Sequence, residues 1–330
     1  MANCKRILFG HVEKMNIKSH FELDRGEFYV LDSELIDFLA EIYREARYLK
    51  GVDDLVLEKR LIGLGVHLVN FDLHGRPMLV ISSGKIDSAF LDVLEESRLR
   101  NKKTDQIIGE FLKRFVELDY IKNYERINRM LAKFEGKKCL FKFTNSQHVS
   151  DILGGKVRFK TASSYKRDGY NIAIEDDEIN INHTIHGIHF ETADGLRIPV
   201  RDNKITVSAA GEYYISCFSA LFDMKLYTMF INDSCVVISN ADKFVELVLS
   251  EFESTYPDYY SSFGCVGYID PYRQLSSKFA IEFRKSINYE YQKEYRFVSF
   301  AESLKHNLGE ILKICIDSNQ VDYHVINMRE

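Results

Sequence analysis

The chain has 330 residues and a formal net charge of −5, with 45% hydrophobic and 28% charged residues. This composition is typical of an ordinary globular protein, and the acidic balance gives no sign of nucleic-acid binding. No apolar run is long enough to cross a bilayer, and the N-terminus lacks a signal-peptide core, so we expect a cytoplasmic protein without a membrane partner. The six cysteines form no Cys-x-x-Cys pair, which favours reduced thiols.

The first 134 residues predict a helix-rich α+β domain. A short apolar strand at 27–31 precedes two helices, and a Gly-Arg-Pro turn within 66–82 predicts a β-hairpin. Helical spacing then dominates 86–132. The basic run 98–103 lies in this region and favours a solvated loop, with phosphate or RNA contact as the alternative. Since no catalytic set is visible, we interpret 1–134 as an accessory or partner-binding domain.

From residue 135 to residue 330, the spacing of apolar residues changes from the period of a helix to the alternation of a strand. This change places the domain boundary near 135. Segments with the alternation or β-branched content of strands are 139–144, 157–161, 212–219, 234–239, 265–269, 277–283 and 295–300. Helical spacing occurs at 146–153, 241–253 and 304–312, and one of 311–316 and 323–326 returns to the sheet. We therefore predict an α+β chain whose C-terminal domain is a mostly antiparallel sheet with small helices.

A stretch near the end, 289–300, combines acids, an arginine and several aromatics (Tyr-Glu-Tyr-Gln-Lys-Glu-Tyr-Arg-Phe-Val-Ser-Phe). Glu294 stands at the entry to an alternating strand, and Arg296 points to the opposite face from Tyr295. A carboxylate beside an arginine and aromatic rings predicts a functional site. A surface acid paired with the arginine is the other interpretation of the same residues.

Two patterns raise the question of a metal. In His183-x-x-His186-x-x-His189, a spacing of three on a strand places the middle residue on the opposite face, which favours a polar strand over a zinc site. The acidic run 175–178 is compatible with Mg²⁺ or with a solvated loop. The sequence has no phosphate-cradling Gly-x-x-x-x-Gly-Lys loop, no Gly-x-Gly-x-x-Gly and no Gly-x-Ser-x-Gly. We expect no metal.

Four short segments occur in a fixed order in the C-terminal half: 140–143 (Leu-Phe-Lys-Phe), 157–159 with 163–168, 215–219 (Ile-Ser-Cys-Phe-Ser) and 289–296. Together they resemble a bacterial family of unknown-function proteins related to the AbiGi abortive-infection proteins. The resemblance implies a toxin–antitoxin or anti-phage defence role. It also implies a neutralising antitoxin or regulatory protein, for which the N-terminal domain is the expected docking surface.

The same order is similar to the core of ADP-ribosyltransferases, which place a basic residue on a first strand, Ser or Thr on a middle strand and a catalytic Glu on a later one. This resemblance implies that Glu294 is catalytic, that Ser216 holds the ribose or positions the glutamate, and that Tyr165 stacks on nicotinamide. Lys142 stands where those enzymes usually have His or Arg. The implied NAD-binding residues are Lys142, Thr144, Arg167, Ser219 and Arg296.

The resemblance therefore implies transfer of ADP-ribose from NAD to a macromolecule, which is RNA, DNA or protein. Two alternatives belong to other classes. One is a non-catalytic sensor or binding module of a defence system, and the other is a metal-dependent nuclease using Asp176, Asp177 and Glu294. Consumption of NAD⁺ distinguishes the first function from both alternatives, and metal-dependent RNA cleavage distinguishes the nuclease.

Overall fold

The computed structural model is an α+β protein, which confirms the predicted fold class. It describes residues 19–23, 26–30, 33–71, 77–80, 85–116, 120–166, 177–185, 189–192, 194, 196–199, 203–273, 280–301 and 309–328. The chain divides into two compact units, residues 1–124 and 125–330. No helix in the described part of the chain is long and apolar enough to span a membrane.

The first unit combines a small sheet with helices. Its strands are β1 Ser19–Leu23, β2 Gly26–Val30, β3 Val69–Phe71 and β4 Pro77–Val80, in the order β1-β2-β4-β3. The antiparallel pairing of β3 with β4 confirms the predicted hairpin. The helices from residue 33 to residue 131 are α1 Ser33–Ala46, α2 Asp54–Leu68, α3 Lys85–Leu99, α4 Thr104–Val116 and α5 Tyr120–Leu131. Asp53 caps α2 by accepting a hydrogen bond from the backbone N–H of Leu55 at 2.8 Å.

The second unit is built mainly of strands. They are β5 Leu140–Thr144, β6 Lys156–Thr161, β7 Asn180–Ile185, β8 His189–Glu191, β9 Arg197–Pro199, β10 Asn203–Ser208, β11 Tyr214–Ser219, β12 Ser234–Ile238, β13 Tyr259–Cys265, β14 Gly267–Ile269, β15 Arg284–Ser286, β16 Glu294–Ala301, β17 Ile311–Cys315 and β18 Tyr323–Asn327. Its helices are α6 Val149–Leu153, α7 Lys225–Phe230 and α8 Ala241–Thr255.

Eight of these strands form one antiparallel sheet that divides at β11. On one side of the division the order is β13-β16-β11-β5-β12-β18, and on the other β6 pairs with both β11 and β17. Tyr214 and Ile215 of β11 pair with β6, whereas Ser219 pairs with β5. Residues 216–218 therefore lie where β5 and β6 separate, and this separation opens a cleft in the sheet.

Helix α8 covers one face of the divided sheet. Its Phe244, Val248 and Phe252 are buried against Phe159 of β6 and Phe297 of β16. Each of these buried side chains contributes about 1.5–3 kcal/mol relative to an exposed position. Because β6 alternates buried and exposed residues, its other face, with the side chains of 156, 158 and 160, is left for polar groups.

The structure differs from the sequence prediction at several elements. The two units divide at 124/125 rather than at 134/135, because residues between these positions contact β18. Arg126 donates to the carbonyl of Asn327, and the rings of Phe134 and His324 are 4.9 Å apart. Strand β13 was not predicted, because its Ser-Ser-Phe-Gly sequence has weak strand propensity and pairing with β16 holds it. The predicted helix over 304–312 is wrong at its end, since 311 begins β17; residues 302–308 lie outside the described residues.

Candidate functional site

A cavity of about 460 Å³ occupies the cleft between β5 and β6. It is lined by residues of β5, β6, β11 and β16, by the segment 145–152, and by Tyr165, Glu178 and Lys285. This volume lies within the range of small-molecule sites, which are commonly a few hundred Å³ with a few convergent polar groups. The cleft is therefore the candidate site of the second unit.

Four buried charged residues lie together beside this cavity: Glu178, Lys285, Glu294 and Arg296, of which the first three line it. The carboxylate of Glu294 accepts from Arg296 Nε at 2.7 Å and from Lys285 Nζ at 3.2 Å. Glu178 accepts from Arg296 Nη2 at 2.6 Å and from Lys285 Nζ at 3.2 Å. We call these four residues the charged quartet. Two carboxylates and two cations balance, so their burial is compensated by pairing.

Local sequence explains how Glu294 reaches this position. The strand β16 begins at Glu294, directly after Lys293, whose φ of 43° closes the preceding turn. Arg296 lies two residues on, so alternation places its side chain on the same face as that of Glu294. The hydroxyl of Tyr268 accepts from the backbone N–H of Glu294 at 2.8 Å and fixes the entry of the strand.

The electrostatics of the quartet keep Glu294 ionised. Burial by itself would raise the pKa of Glu294, but the charges of Arg296 and Lys285 and the hydrogen bond from Arg296 hold that pKa well below its usual value. Burial likewise opposes the charge of Arg296, while Glu178 and Glu294 raise its pKa well above the ordinary value. The site therefore offers a buried carboxylate that stays negative at neutral pH.

Tyr165 lines the same cavity as this carboxylate, and its role as a site residue stays a prediction. It belongs to the 3₁₀ turn Ala162–Lys166, lines the cavity and is partly buried. Burial, and then the neighbouring Cys217, Glu178 and Glu294, raise the pKa of Tyr165 well above its usual value. Its ring is therefore a neutral phenol at the wall of the cavity.

Lys142 crosses the opening between β5 and β11. Its Nζ donates to the carbonyl of Cys217 and lies 4.9 Å from the centre of the Phe218 ring. Burial lowers the pKa of Lys142, and the charge of Lys160 lowers it further by a smaller amount. Thr144, two residues along β5, also lines the cavity.

The two serines of β11 have different surroundings from those expected. Ser216 is opposite Phe297 in the register, whereas Ser219 is opposite Glu294. Strand alternation therefore puts the side chains of Ser216 and Glu294 on different faces of the sheet, although both residues line the cavity, and the role expected for Ser216 stays a prediction. Ser219 lies on the face of Glu294, but its Oγ is 2.7 Å from the carbonyl oxygen of Gln292 and 2.5 Å from that of Leu221. Its hydroxyl anchors the turn before β16.

Of the two arginines expected to bind pyrophosphate, Arg296 and Arg167, the structure describes only Arg296. Arg296 is 0% exposed and is bonded to Glu178, to Glu294 and to the carbonyl of Glu282, so it is an internal partner of Glu294 and is not a ligand for a phosphate. Arg167 lies outside the described residues. The cations that line the cavity and were not predicted are Lys156, Arg158 and Lys160 of β6 and Lys285 of β15.

Asp177, one of the residues considered for a metal, has other hydrogen-bond partners. Asp177 accepts from Lys166 Nζ at 2.7 Å and from the backbone N–H of Asn180 at 3.0 Å. Asp176 and His186 lie outside the described residues, and His183 is buried in β7. Within the described ranges, no group of three His, Cys, Asp or Glu side chains is placed to hold a metal ion.

Comparison with protein-family models, with curated proteins and with solved structures finds no match to this chain. The chemistry of the cleft is therefore the basis for a functional hypothesis. It combines a buried carboxylate, a phenol ring and two lysines, Lys142 and Lys160, at one cavity. Such an arrangement can hold an anionic ligand by the lysines and place a developing positive charge near Glu294.

Proposed function

We propose that the second unit is an ADP-ribosyltransferase-like effector that uses NAD⁺ as substrate and transfers ADP-ribose to a macromolecule. One observation carries the proposal: the ionised Glu294 faces a cavity of about 460 Å³ at the division of the sheet. Lys142 of β5 and Glu294 of β16, the two residues to which the resemblance assigns roles, both line this cavity.

The two lysines account for binding of the pyrophosphate. Lys142 and Lys160 are near enough for the charge of one to lower the pKa of the other, and an anion between them relieves that repulsion. Both line the cavity together with Tyr165, whose ring offers a surface for the nicotinamide. Glu294, adjacent to Tyr165 in this arrangement, then faces the ribose to which the nicotinamide is attached.

The reaction breaks the bond between ribose C1′ and the nicotinamide nitrogen. The electron pair of this bond leaves with neutral nicotinamide, and the ribose acquires oxocarbenium character that Glu294 stabilises by its charge. A nucleophile of the acceptor forms the new bond to C1′ and releases its proton to water. Because the pKa of Glu294 is held low by Arg296 and Lys285, this residue acts through charge and is a poor proton acceptor.

Release of nicotinamide from NAD⁺ by the purified chain tests the proposal. We expect release by the wild type and loss of release in Glu294→Gln. Glu178→Gln is the matched control, because it removes the other carboxylate of the charged quartet and leaves Glu294 in place. Equal release from the wild type and from folded Glu294→Gln would exclude the mechanism.

An unrestrained transferase would harm its own cell, so we infer a cytoplasmic effector with a neutralising protein partner, in line with the resemblance to abortive-infection proteins. The first unit is the expected docking site. Its helix α1 exposes Phe38 and Ile42 four residues apart, on one side of the helix. Phe38→Ser with Ile42→Ser should reduce recovery of the partner in a pull-down with the full chain, while Leu221→Ser, an exposed apolar residue of the second unit, should not.

A second function, a non-catalytic sensor that binds the nucleotide, is favoured by one specific contact pattern. Both carboxylate oxygens of Glu294 already accept hydrogen bonds, one from Arg296 and one from Lys285. A carboxylate with this much compensation has less negative potential to offer a substrate cation. Calorimetric binding of NAD⁺ without release of nicotinamide would favour the sensor over the transferase.

A further inference from the structure

The outer face of the β6–β17 pair is strongly cationic. Exposed side chains of β6 at positions 156, 158 and 160 share this face with Lys313 of β17. The side chains of Lys156 and Arg158 are 57% and 45% exposed. We call Lys156, Arg158, Lys160 and Lys313 the cationic face. Among the described ion pairs, these four cations meet one carboxylate, that of Asp151, which pairs with Lys156 and Arg158.

Two of these cations are directly opposite each other. Arg158 and Lys313 are partners in the antiparallel register of β6 and β17. Like charges at such a position destabilise a strand pair, by contrast with the opposite charges that sheets usually place there. Of these two cations, Arg158 is compensated by Asp151, whereas Lys313 has no ion-pair partner among the residues that the structure describes. An anionic ligand laid across both strands would relieve this repulsion.

The cationic face is continuous with the face that carries Glu294. Lys160 is paired with Ile215 of β11, and Ser219 of the same strand face is paired with Glu294. Paired residues and residues two apart lie on one side of a sheet, so the cations and the carboxylate share that side. From β17 to β16 there are three strand spacings, roughly 14 Å. Because Lys156, Arg158 and Lys160 also line the cavity, a ligand on the cationic face lies at the mouth of the cleft.

We propose that the cationic face binds the phosphate backbone of a nucleic acid, and that a nucleic acid is the macromolecule modified at the cleft. Successive cations along β6 are spaced by two residues, or about 6.6 Å, which suits a ligand with repeated charges. A folded acidic protein would have to match this row with its own carboxylates, whereas a phosphodiester chain supplies one charge at every nucleotide. The acceptor assignment rests on the proposed transferase; the binding surface does not.

Fluorescence anisotropy with labelled short single-stranded DNA, single-stranded RNA and duplex DNA tests the surface on the full chain without NAD⁺. The three oligonucleotides distinguish the two kinds of nucleic acid and the two strand states. Polyglutamate is the probe for an acidic protein. We expect oligonucleotide affinity that falls between about 50 mM and about 200 mM salt, and no comparable affinity for polyglutamate.

The variant Arg158→Ala/Lys313→Ala removes two phosphate contacts. At about 50 mM salt, we expect affinity to fall by roughly tenfold for each contact and the salt dependence to become less steep. The matched control is Lys138→Ala/Lys243→Ala, which removes the same charge beside helix α8, where Lys138 pairs with Asp242 and Lys243 with Glu246. This control should bind like the wild type.

Lys313→Glu keeps the proposal falsifiable if the double variant folds poorly. It places a carboxylate opposite Arg158, so the melting temperature should not fall, while oligonucleotide affinity should drop more than in Lys313→Ala. Affinity unchanged in Lys313→Glu, or equal affinity of the wild type for polyglutamate and oligonucleotides, would overturn the inference.

Nicotinamide release separates this inference from the proposed function. A chain that releases nicotinamide but binds no oligonucleotide overturns the cationic face and leaves the transferase proposal standing. A chain that binds oligonucleotides through Lys313 without releasing nicotinamide supports the cationic face and overturns the transferase. When both activities are present, transfer of radiolabel from NAD⁺ to the oligonucleotide supports the acceptor assignment, provided that Glu294→Gln does not transfer the label.

Discussion

Both units of the chain bury a carboxylate among cations, but the surroundings of the two carboxylates differ. In the first unit, Glu96 is 0% exposed and accepts from the hydroxyl of Tyr43 at 2.6 Å, from Arg47 Nε at 3.0 Å and from Arg100 Nε at 2.7 Å. In the second unit, Glu294 is held by Arg296 and by a lysine. Similar ion pairing therefore occurs in two places, and pairing alone does not identify a site.

What distinguishes the two clusters is the space and the backbone next to them. Arg100 also donates to the carbonyls of Leu49, Lys50 and Val52, so the first cluster fastens a loop to α3. A small apolar pocket of the first unit, about 10 Å³, is lined by residues outside this cluster. The second cluster opens on a cavity of about 460 Å³. A buried charge thus becomes a functional candidate where it meets a cavity large enough for a ligand.

The same comparison explains the basic run 98–103. Arg98 pairs with Glu95 at 2.8 Å, Arg100 pairs with Glu96, and Lys102 pairs with Asp54. These side chains are partners of neighbouring acids in the first unit. The hypothesis of phosphate or RNA contact at this run therefore has less support than an ion-pairing role, and the cationic face of the second unit is the better candidate.

Glu294→Gln should have the largest effect. It removes the charge that stabilises the oxocarbenium ion, and loss of one such group commonly lowers the rate by about 10²–10³-fold. It also leaves Lys285 and Arg296 opposite a single carboxylate, so the free energy of unfolding should fall by about 3–5 kcal/mol. This cost exceeds the roughly 0–1 kcal/mol expected for an exposed pair. Nicotinamide release per folded molecule, with urea unfolding, measures both effects.

Glu178→Gln sharpens this prediction, because its stability loss should be similar while nicotinamide release per folded molecule stays within about one order of magnitude. Parallel losses of rate in both variants would mean that the charged quartet acts only as a structural unit.

Glu96→Gln should destabilise without affecting catalysis. It leaves Arg47 and Arg100 without their buried carboxylate, so we expect the free energy of unfolding to fall by about 3–5 kcal/mol. The cavity residues are unchanged, so nicotinamide release per folded molecule should equal that of the wild type. Urea unfolding and the release assay on the same preparation measure the two quantities. Loss of release from folded Glu96→Gln would break the distinction between the two clusters.

Much of the second unit could be predicted from its sequence. The pattern located β5, β6, β11, β12 and β16, because these strands have β-branched and aromatic residues with a period of two. It also placed Glu294 at the start of β16. The shared face of Glu294 and Arg296 was not predicted, because the strand was expected to begin at residue 295 and it begins at Glu294.

The other two members of the charged quartet, Glu178 and Lys285, could not be predicted in this way. Glu178 belongs to an acidic run that is typical of a solvated loop, and Lys285 is a single cation in a short segment. Only the fold brings them within hydrogen-bond distance, across sequence separations of 107 and 9 residues. For the same reason Arg296 was assigned to a phosphate, since a sequence does not show that two buried carboxylates already occupy its guanidinium.

A smaller effect is expected from the titration of Lys142. Burial lowers the pKa of Lys142 in the folded chain. Between this folded-state pKa and the unfolded-state pKa of about 10.4, the folded chain binds fewer protons than the unfolded chain. The free energy of unfolding therefore rises with pH in that window. NAD⁺ affinity should fall as the pH rises through the same window, because the neutral amine of Lys142 no longer binds pyrophosphate.

Calorimetry from neutral pH upward measures this decline in affinity. Lys142→Arg, which keeps its charge throughout, should shift the decline to higher pH. An unchanged pH profile in Lys142→Arg would show that this residue does not contact the ligand.

Glu290→Gln should have the smallest effect. Glu290 pairs only with Lys293 among the described ion pairs, at 3.0 Å, and both side chains are partly exposed. The free energy of unfolding should change by about 0–1 kcal/mol, and nicotinamide release should be unchanged. Glu290→Gln is therefore the control for Glu294→Gln, since it removes a partly exposed carboxylate four residues away. A loss of release in Glu290→Gln comparable to that in Glu294→Gln would mean that the turn 287–292, rather than the cleft, carries the activity.

A crystal structure of Glu294→Gln with NAD⁺ soaked into the crystal tests the central claim most directly, because this variant should bind the dinucleotide without consuming it. We predict density for NAD⁺ in the cleft between β5 and β6, with the pyrophosphate beside Lys142 and Lys160 and the nicotinamide ribose facing position 294. An empty cleft at a saturating NAD⁺ concentration, or a dinucleotide bound with its ribose away from position 294, would contradict the account.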